Sequence, residues 1–370
     1  MTIKLEELKA LIGLKMCDGI GDITANKLLM SCGSAASIFE EKSKHLSTIP
    51  GISLNIEQML KKGINWRLVE KEVDFIEKNH VNCVSIVDKS YPQNLIQTDS
   101  PPPVLFFRGS IEALNSLTCL SIVGTRKATN YGRELVEQLV SELKGLSVMI
   151  ISGLAFGIDI IAHKACIQNK VPTFAVVGHG LKTIYPAAHR SYLNGLVSSG
   201  GGILSDYFSE EAPNRENFPK RNRIIAGLSS ATLVIEASHK SGTLITADLA
   251  LSYKRKVFAL PGRYTDKFSE GCNYLLSKRG VMPILSIPGL IDDLGIRKKN
   301  NPVKSQQTVL LEPEEKRIIQ IFSNFSTINL DDLSSKTQLK ISECASILIN
   351  LEMKGLIRSL PGKTYELCPC

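Results

Sequence analysis

The residues able to do chemistry sit in short glycine-rich segments, and most of them suit anion binding. The densest is Asn217-Phe218-Pro219-Lys220-Arg221-Asn222-Arg223, three cations in four residues with an aromatic beside them. Guanidinium and ammonium groups neutralise phosphates, and an aromatic face stacks on a base. Gly124-Thr125-Arg126 ends an apolar run, so a tight turn and a cation come together. Ser152-Gly153-Leu154-Ala155-Phe156-Gly157 places a serine and two glycines after another apolar run. Lys240-Ser241-Gly242-Thr243 opens a helical pattern, where hydroxyls, free amides and a cation make an anion cradle. The expected nucleic-acid- or phosphate-binding set is Gly124, Arg126, Ser152, Gly153, Phe156, Gly157, Asn217, Phe218, Lys220, Arg221, Asn222, Arg223, Lys240, Ser241, Gly242 and Thr243.

Bond-making chemistry is harder to assemble. Asp159 and His163 stand four apart and share a helix face, which fits a helix N-terminal acid with a local bond better than a catalytic pair. His179 lies between two glycines, with no acid or nucleophile beside it. There is no Walker lysine motif, no nucleophile elbow and no metal-ligand spacing, so no catalytic residue, metal or cofactor is expected. Gly124 lacks the following glycines of the dinucleotide fingerprint, which disfavours a nicotinamide dehydrogenase.

The elements that must position these segments read as follows. Leu120–Val123, Val148–Ser152, Thr173–Val177, Ile203–Ser205, Ala231–Glu236 and Lys256–Leu260 are short apolar runs, as in strands buried on both faces. Helix-length segments separate most of them, which predicts an α/β fold with a doubly wound parallel sheet. Its ligand would lie beyond the carboxyl ends of the strands. Before it, residues 81–117 read as a connector with two short strands and proline-fixed loops. Residues 1–80 read as helical, broken by Gly19-Ile20-Gly21 and by Ile49-Pro50-Gly51-Ile52, like helix-hairpin-helix units. Residues 296–306 read as a basic linker. Residues 307–370 read as three helices and a wing.

Of the 370 residues, 43% are hydrophobic, enough for real cores and against wholesale disorder. No apolar run is long enough to cross a bilayer, and the N-terminus has no signal-peptide pattern. Nine scattered cysteines without framework spacing suggest reduced thiols, and hence a cytoplasmic setting. The net charge of +8 is unevenly spread: residues 1–80 sum to zero, 307–370 to −1, and 81–306 carry 26 basic against 17 acidic residues. The basic excess therefore coincides with the glycine turns and argues for an anionic partner there. The uncharged balance of the flanking helical blocks fits structural or protein-contact roles better than duplex binding.

Taken in order, Val123-Gly124-Thr125-Arg126 with Tyr131-Gly132, Ser152-Gly153-Leu154-Ala155 with Gly157-Ile158-Asp159, Asn217 through Ile225, and Lys240 through Ala247 resemble the DprA/Smf family of DNA-processing proteins. The resemblance implies an extended Rossmann-like domain at 81–295, an N-terminal SAM- or helix-hairpin-helix-like domain at 1–80 and a winged helix at 307–370. It implies a homodimer that binds single-stranded DNA and loads the RecA recombinase during natural transformation, with no enzymatic activity. Many members carry arginine where this chain has Phe156, so an aromatic stands in place of one cation. The apolar stretch Tyr274–Leu276 is a candidate dimer surface, with core packing as the alternative. A competing resemblance is to nucleotide phosphoribohydrolases, with Glu236 and Asp159 as acids. Against it, no acid follows His239-Lys240-Ser241-Gly242-Thr243.

Overall fold

The computed structural model describes residues 4–40, 46, 48–52, 55–278, 280–296, 312–322, 327–353, 356–360 and 362–367. It divides into two compact units, Met1–Lys299 and Asn300–Cys370. Residues 297–306 of the expected linker lie outside the described residues, as do Cys368 and Cys370. Ile296 is described and is buried in the first unit.

The first unit is built on a nine-stranded sheet. In chain order its strands are β1 (Asn82–Ser85), β2 (Val104–Gly109), β3 (Thr118–Val123), β4 (Val148–Ser152), β5 (Thr173–Val176), β6 (Gly202–Ser205), β7 (Ala231–Val234), β8 (Lys256–Ala259) and β9 (Val281–Pro283). The spatial order is β1-β2-β6-β5-β4-β3-β7-β8-β9. From β6 to β9 every pairing is parallel, whereas β1 and β2 join antiparallel at one edge. The expected connector is thus part of the sheet. The continuous apolar run of β2 is buried from Val104 to Phe107, and such a run is stable only when its backbone is paired and both faces are covered. Strand β9 escaped the sequence reading because it is three residues long and ends in proline.

Helices cover both faces. Asn130–Glu142, Ile158–Asn169 and Ile287–Leu294 supply Val136, Leu139, Ile161, Ala162 and Leu290 to a core on one face. Asn217–Leu228 and Gly242–Ser252 cover the other, together with the N-terminal helices. Strand order reverses at β3, with β4 on one side and β7 on the other. This is the switch point beyond which such sheets open a crevice.

The N-terminal region is helical: Leu5–Met16, Asp22–Cys32, Ala35–Glu40, Ile56–Lys62 and Trp66–Lys78. Val69, Val73 and Ile76 follow helical spacing and are buried. Glu72 shares that face and is also buried. Its carboxylate accepts the Ser209 amide at 2.9 Å and hydroxyl at 2.6 Å. Burial pushes the Glu72 carboxyl up, and the Ser209 bonds oppose that shift. Asn26 donates to the Pro101 carbonyl at 2.7 Å. These ties make the helices part of the sheet's own unit.

The second unit is a winged helix. Helices Pro313–Phe322, Leu330–Thr337 and Ile341–Met353 pack on a small sheet of β10 (Ile328–Asn329), β12 (Thr364–Leu367) and β11 (Ile357–Leu360) in that order. Asn329 caps the second helix by accepting the Asp332 amide at 2.7 Å. The third helix, ISECASILINLEM, carries no lysine or arginine.

Candidate nucleic-acid interface

A cleft of about 580 Å³ opens where the parallel strands end. Its walls are the turn after β3 (Gly124, Thr125, Arg126), the start of the Asn217 helix (Phe218, Asn222) and the start of the Gly242 helix (Ser241, Gly242, Thr243). Ser241 caps that last helix, its hydroxyl accepting the Thr243 amide at 3.2 Å. Arg126 is exposed and lies 5.3 Å from the centroid of the Phe218 ring. Tyr185 is 45% exposed and tilts against Phe218 at 5.9 Å between centroids. Arg126 and Lys240 have no carboxylate partner among the described residues. A cation held over one of two neighbouring aromatic faces suits a phosphate and a stacked base together.

Beneath this surface lies a buried polar floor, and it changes the roles of several expected contacts. Arg221 is buried, and its guanidinium donates to the carbonyls of Gly153, at 2.7 Å, and Val176. It is a positioning residue that ties the Asn217 helix to the ends of β4 and β5, rather than an open phosphate contact. A Cβ at Gly153 would collide with both the Arg221 guanidinium and the Asp159 carboxylate, so only glycine fits between them. Asp159 accepts the Ala155 amide at 3.3 Å. Burial pushes its carboxyl up, while Arg221 and the neighbouring amides hold it down. Burial in turn lowers the Arg221 pKa, against the pull of Asp159. The Ser152 hydroxyl is spent on the Ile122 carbonyl at 2.7 Å. Gly157 has φ +78°, and a side chain there would strike the backbone of Thr125 and Arg126. Leu154, at φ +59°, holds a strained left-handed conformation while its carbonyl accepts His189 Nδ1–H at 2.8 Å.

Arg223 is likewise committed: it pairs with Asp22 at 2.9 Å and Asp206 at 2.8 Å and donates to the Ser100 carbonyl. Asn217 is buried and its amide reaches Glu211 at 3.3 Å. Lys220 is exposed but lines a separate pocket with Lys15, Asp22 and Asp206. Asn222 braces the two helix starts by donating to the Gly242 carbonyl at 3.4 Å. Phe156 is 49% exposed and lines a small neighbouring hollow with Arg126, Tyr185 and Phe218. The cleft therefore unites Gly124, Arg126, Phe218, Asn222, Ser241, Gly242 and Thr243 from the expected set, with Arg221 in its floor. It adds Tyr185 and Arg215, which sequence reasoning missed. Tyr185 carried one signal, its place just after the Gly178-His179-Gly180 turn.

His179 explains that placement. The Tyr185 amide can only donate, so Nε2 of His179 accepts it at 3.3 Å, and Nδ1–H then donates to the Gly180 carbonyl at 2.9 Å. This fixes a neutral ring, and burial lowers its pKa in the same sense. His163 is buried, bonded to Thr173 at 2.8 Å, with burial lowering its pKa to about 3. It makes no pair with Asp159. Glu236 accepts the Thr129 amide at 2.9 Å and its hydroxyl, holding the residue that caps the Asn130 helix. Both acids of the hydrolase alternative are thus held in structural bonds. Among the described residues, no group of three or more His, Cys, Asp or Glu could hold a metal ion. The seven described cysteines are free thiols. Of the candidate dimer stretch, Leu275 is core, while Tyr274 is exposed.

The fold is a Rossmann-like sheet with a cationic and aromatic cleft at its switch point. Comparison with known proteins sharpens the class. The model of DNA recombination-mediator protein A matches residues 82–294, and that of the DprA winged helix domain matches 302–363. Protein Smf of Synechocystis sp. is 31% identical over 94% of this chain and 96% of its own length. Protein Smf of Escherichia coli is 32% identical over 81% of each. The X-ray structure of DNA processing protein A from Streptococcus pneumoniae aligns with a TM-score of 0.66 at 31% identity, covering 79% of this chain and 99% of that one. The Helicobacter pylori protein, described by its single-stranded DNA binding mode, aligns at 0.52 and 30% identity over 58% of this chain and 95% of its own. The chain belongs to the DprA/Smf family of DNA-processing proteins.

Proposed function

We propose that this protein binds single-stranded DNA in the cleft at the ends of the parallel strands and acts as a cytoplasmic recombination mediator. As a homodimer it delivers the bound strand to the RecA recombinase during natural transformation, without itself making or breaking bonds. The observation that carries the reading is Arg126 poised over Phe218 beside Tyr185, facing the amides of the Gly242 helix start. That wall offers charge for the backbone and π-faces for bases. It offers few groups that read base edges, so sequence preference is low. The relative from Helicobacter pylori with a described single-strand binding mode supports the same ligand.

Salt-titrated anisotropy tests this directly. Single strands are expected to bind more tightly than duplex of the same sequence, with log affinity falling linearly in log salt. Equal affinity for the two forms would remove the cleft as the binding surface. Phe156 provides a second check. Its ring is half exposed beside the cleft, so Phe156→Ala is expected to cost about 1–3 kcal/mol of single-strand affinity. Its salt slope should not change, because no cation is lost. An unaltered affinity would rule out stacking at this position.

A further inference from the structure

The aromatic surface does not stop at the cleft. Phe156 meets the His189 ring edge-on at 4.8 Å, and His189 lies 6.4 Å from Tyr192. The ammonium group of Lys164 sits 5.0 Å from the centroid of Tyr192. Arg190 is exposed in the short 3-10 helix that also carries His189 and Tyr192, Ala187–Tyr192. Lys164 is exposed on the Ile158 helix, and neither cation has an ion-pair partner among the described residues. From Ile160 to Ser205 the sequence contains no aspartate or glutamate, although it includes Lys164, Lys170, Arg190 and Lys182, the last paired with Glu210 at 2.6 Å. The one acid at its start, Asp159, is buried beside Arg221. Exposed cations without ion-pair partners, Lys164 and Arg190, beside the rings of Tyr192 and Phe156 are what a sequence-tolerant single-strand track requires.

We propose that Lys164, Arg190 and Tyr192 form a second single-stranded DNA subsite, which receives the strand after it leaves the first cleft across Phe156. The inference rests on the reading that the first cleft holds single-stranded DNA. It extends the footprint without needing a second copy of the chain. Phe156 and His189 are the bridge: His189 is held by the Leu154 carbonyl, so the ring beneath Phe156 is fixed to the cleft loop itself.

Oligothymidylates of roughly 6 and roughly 18 nucleotides separate the two subsites, since short strands fill only one of them. Lys164→Ala/Arg190→Ala is expected to leave the affinity of the short strand unchanged. For the long strand it is expected to lower affinity and to flatten the salt slope by about 1.4, two contacts at about 0.7 each. Lys164→Arg/Arg190→Lys is expected to restore the slope. An equal loss on both lengths, or no loss on the long strand, overturns the second subsite while the first cleft stands. If the unaltered protein binds neither length, the first reading falls, and this one with it.

Discussion

Arg221→Leu is expected to unfold at a markedly lower denaturant concentration than the parent chain, having lost about 3–5 kcal/mol of stability. Leucine fills much of the volume but leaves the carbonyls of Gly153 and Val176 without their donor. It also leaves Asp159 buried with no cation across Gly153. Removing one member of a buried charged set costs more than the set contributes, because the remaining charge stays desolvated. The pH dependence gives an independent signature. Asp159 already titrates above its ordinary value, so the folded state holds its proton to higher pH than the unfolded state does. Stability from this group is present below the unfolded pKa and falls as pH rises toward the folded one. Without Arg221 the folded pKa moves higher still. The deficit of the variant is therefore expected to shrink on acidification, and Asp159→Asn in the same chain is expected to recover part of it. Chemical denaturation at two pH values reads both effects. A variant as stable as the parent but unable to bind DNA would return Arg221 to the role the sequence suggested, an open phosphate contact.

The second large effect concerns binding alone. Arg126→Ala is expected to weaken single-strand affinity evenly across sequences and to reduce the salt slope by about 0.7. Phe218→Ala is expected to cost about 1–3 kcal/mol with little change in slope, since stacking releases no counterions. The two should not add. The guanidinium lies over the Phe218 ring, so loss of either group lets the other wander from its bound position. A double-mutant cycle measured by anisotropy would return a coupling energy. Melting temperatures should barely move, because Arg126 is exposed and a cation–π contact at such a site is worth only about 0.5–1 kcal/mol. Strict additivity with unchanged slopes would dismiss the paired arrangement as the DNA contact.

Much of this architecture was legible in residue order. The six inner strands β3 to β8 stand where the apolar runs predicted, because strands buried on both faces leave an unbroken apolar signature. The outer strands were read in part. The two short strands expected in the connector stand as β1 and β2, whereas β9 has only three residues, too few to show a period. At the site, sequence correctly grouped the glycine turns but could not sort cations by direction. Lys220, Arg221 and Arg223 lie within one helical turn, but not on one side of the Asn217 helix. Lys220 and Arg223, three apart, share the pocket walled by the N-terminal helices, whereas Arg221 turns to the cleft floor. Composition counts all three as basic, and only the packing of the helix distinguishes them. Tyr185 was obscure for the opposite reason: its position depends on His179, whose role is a pair of backbone bonds.

Arg223 has one more consequence, for where this protein can be divided. The recombination-mediator match begins at residue 82, after the N-terminal helices. Yet Asp22 completes the Arg223 ion pairs, Glu72 satisfies both donors of Ser209, and Asn26 holds the Pro101 carbonyl. A fragment cut at that point would leave a half-matched guanidinium two residues from the arginine that anchors the cleft. It would also bare the apolar face those helices cover. The matched segment and the folding module overlap without coinciding, and the N-terminal helices belong to the second.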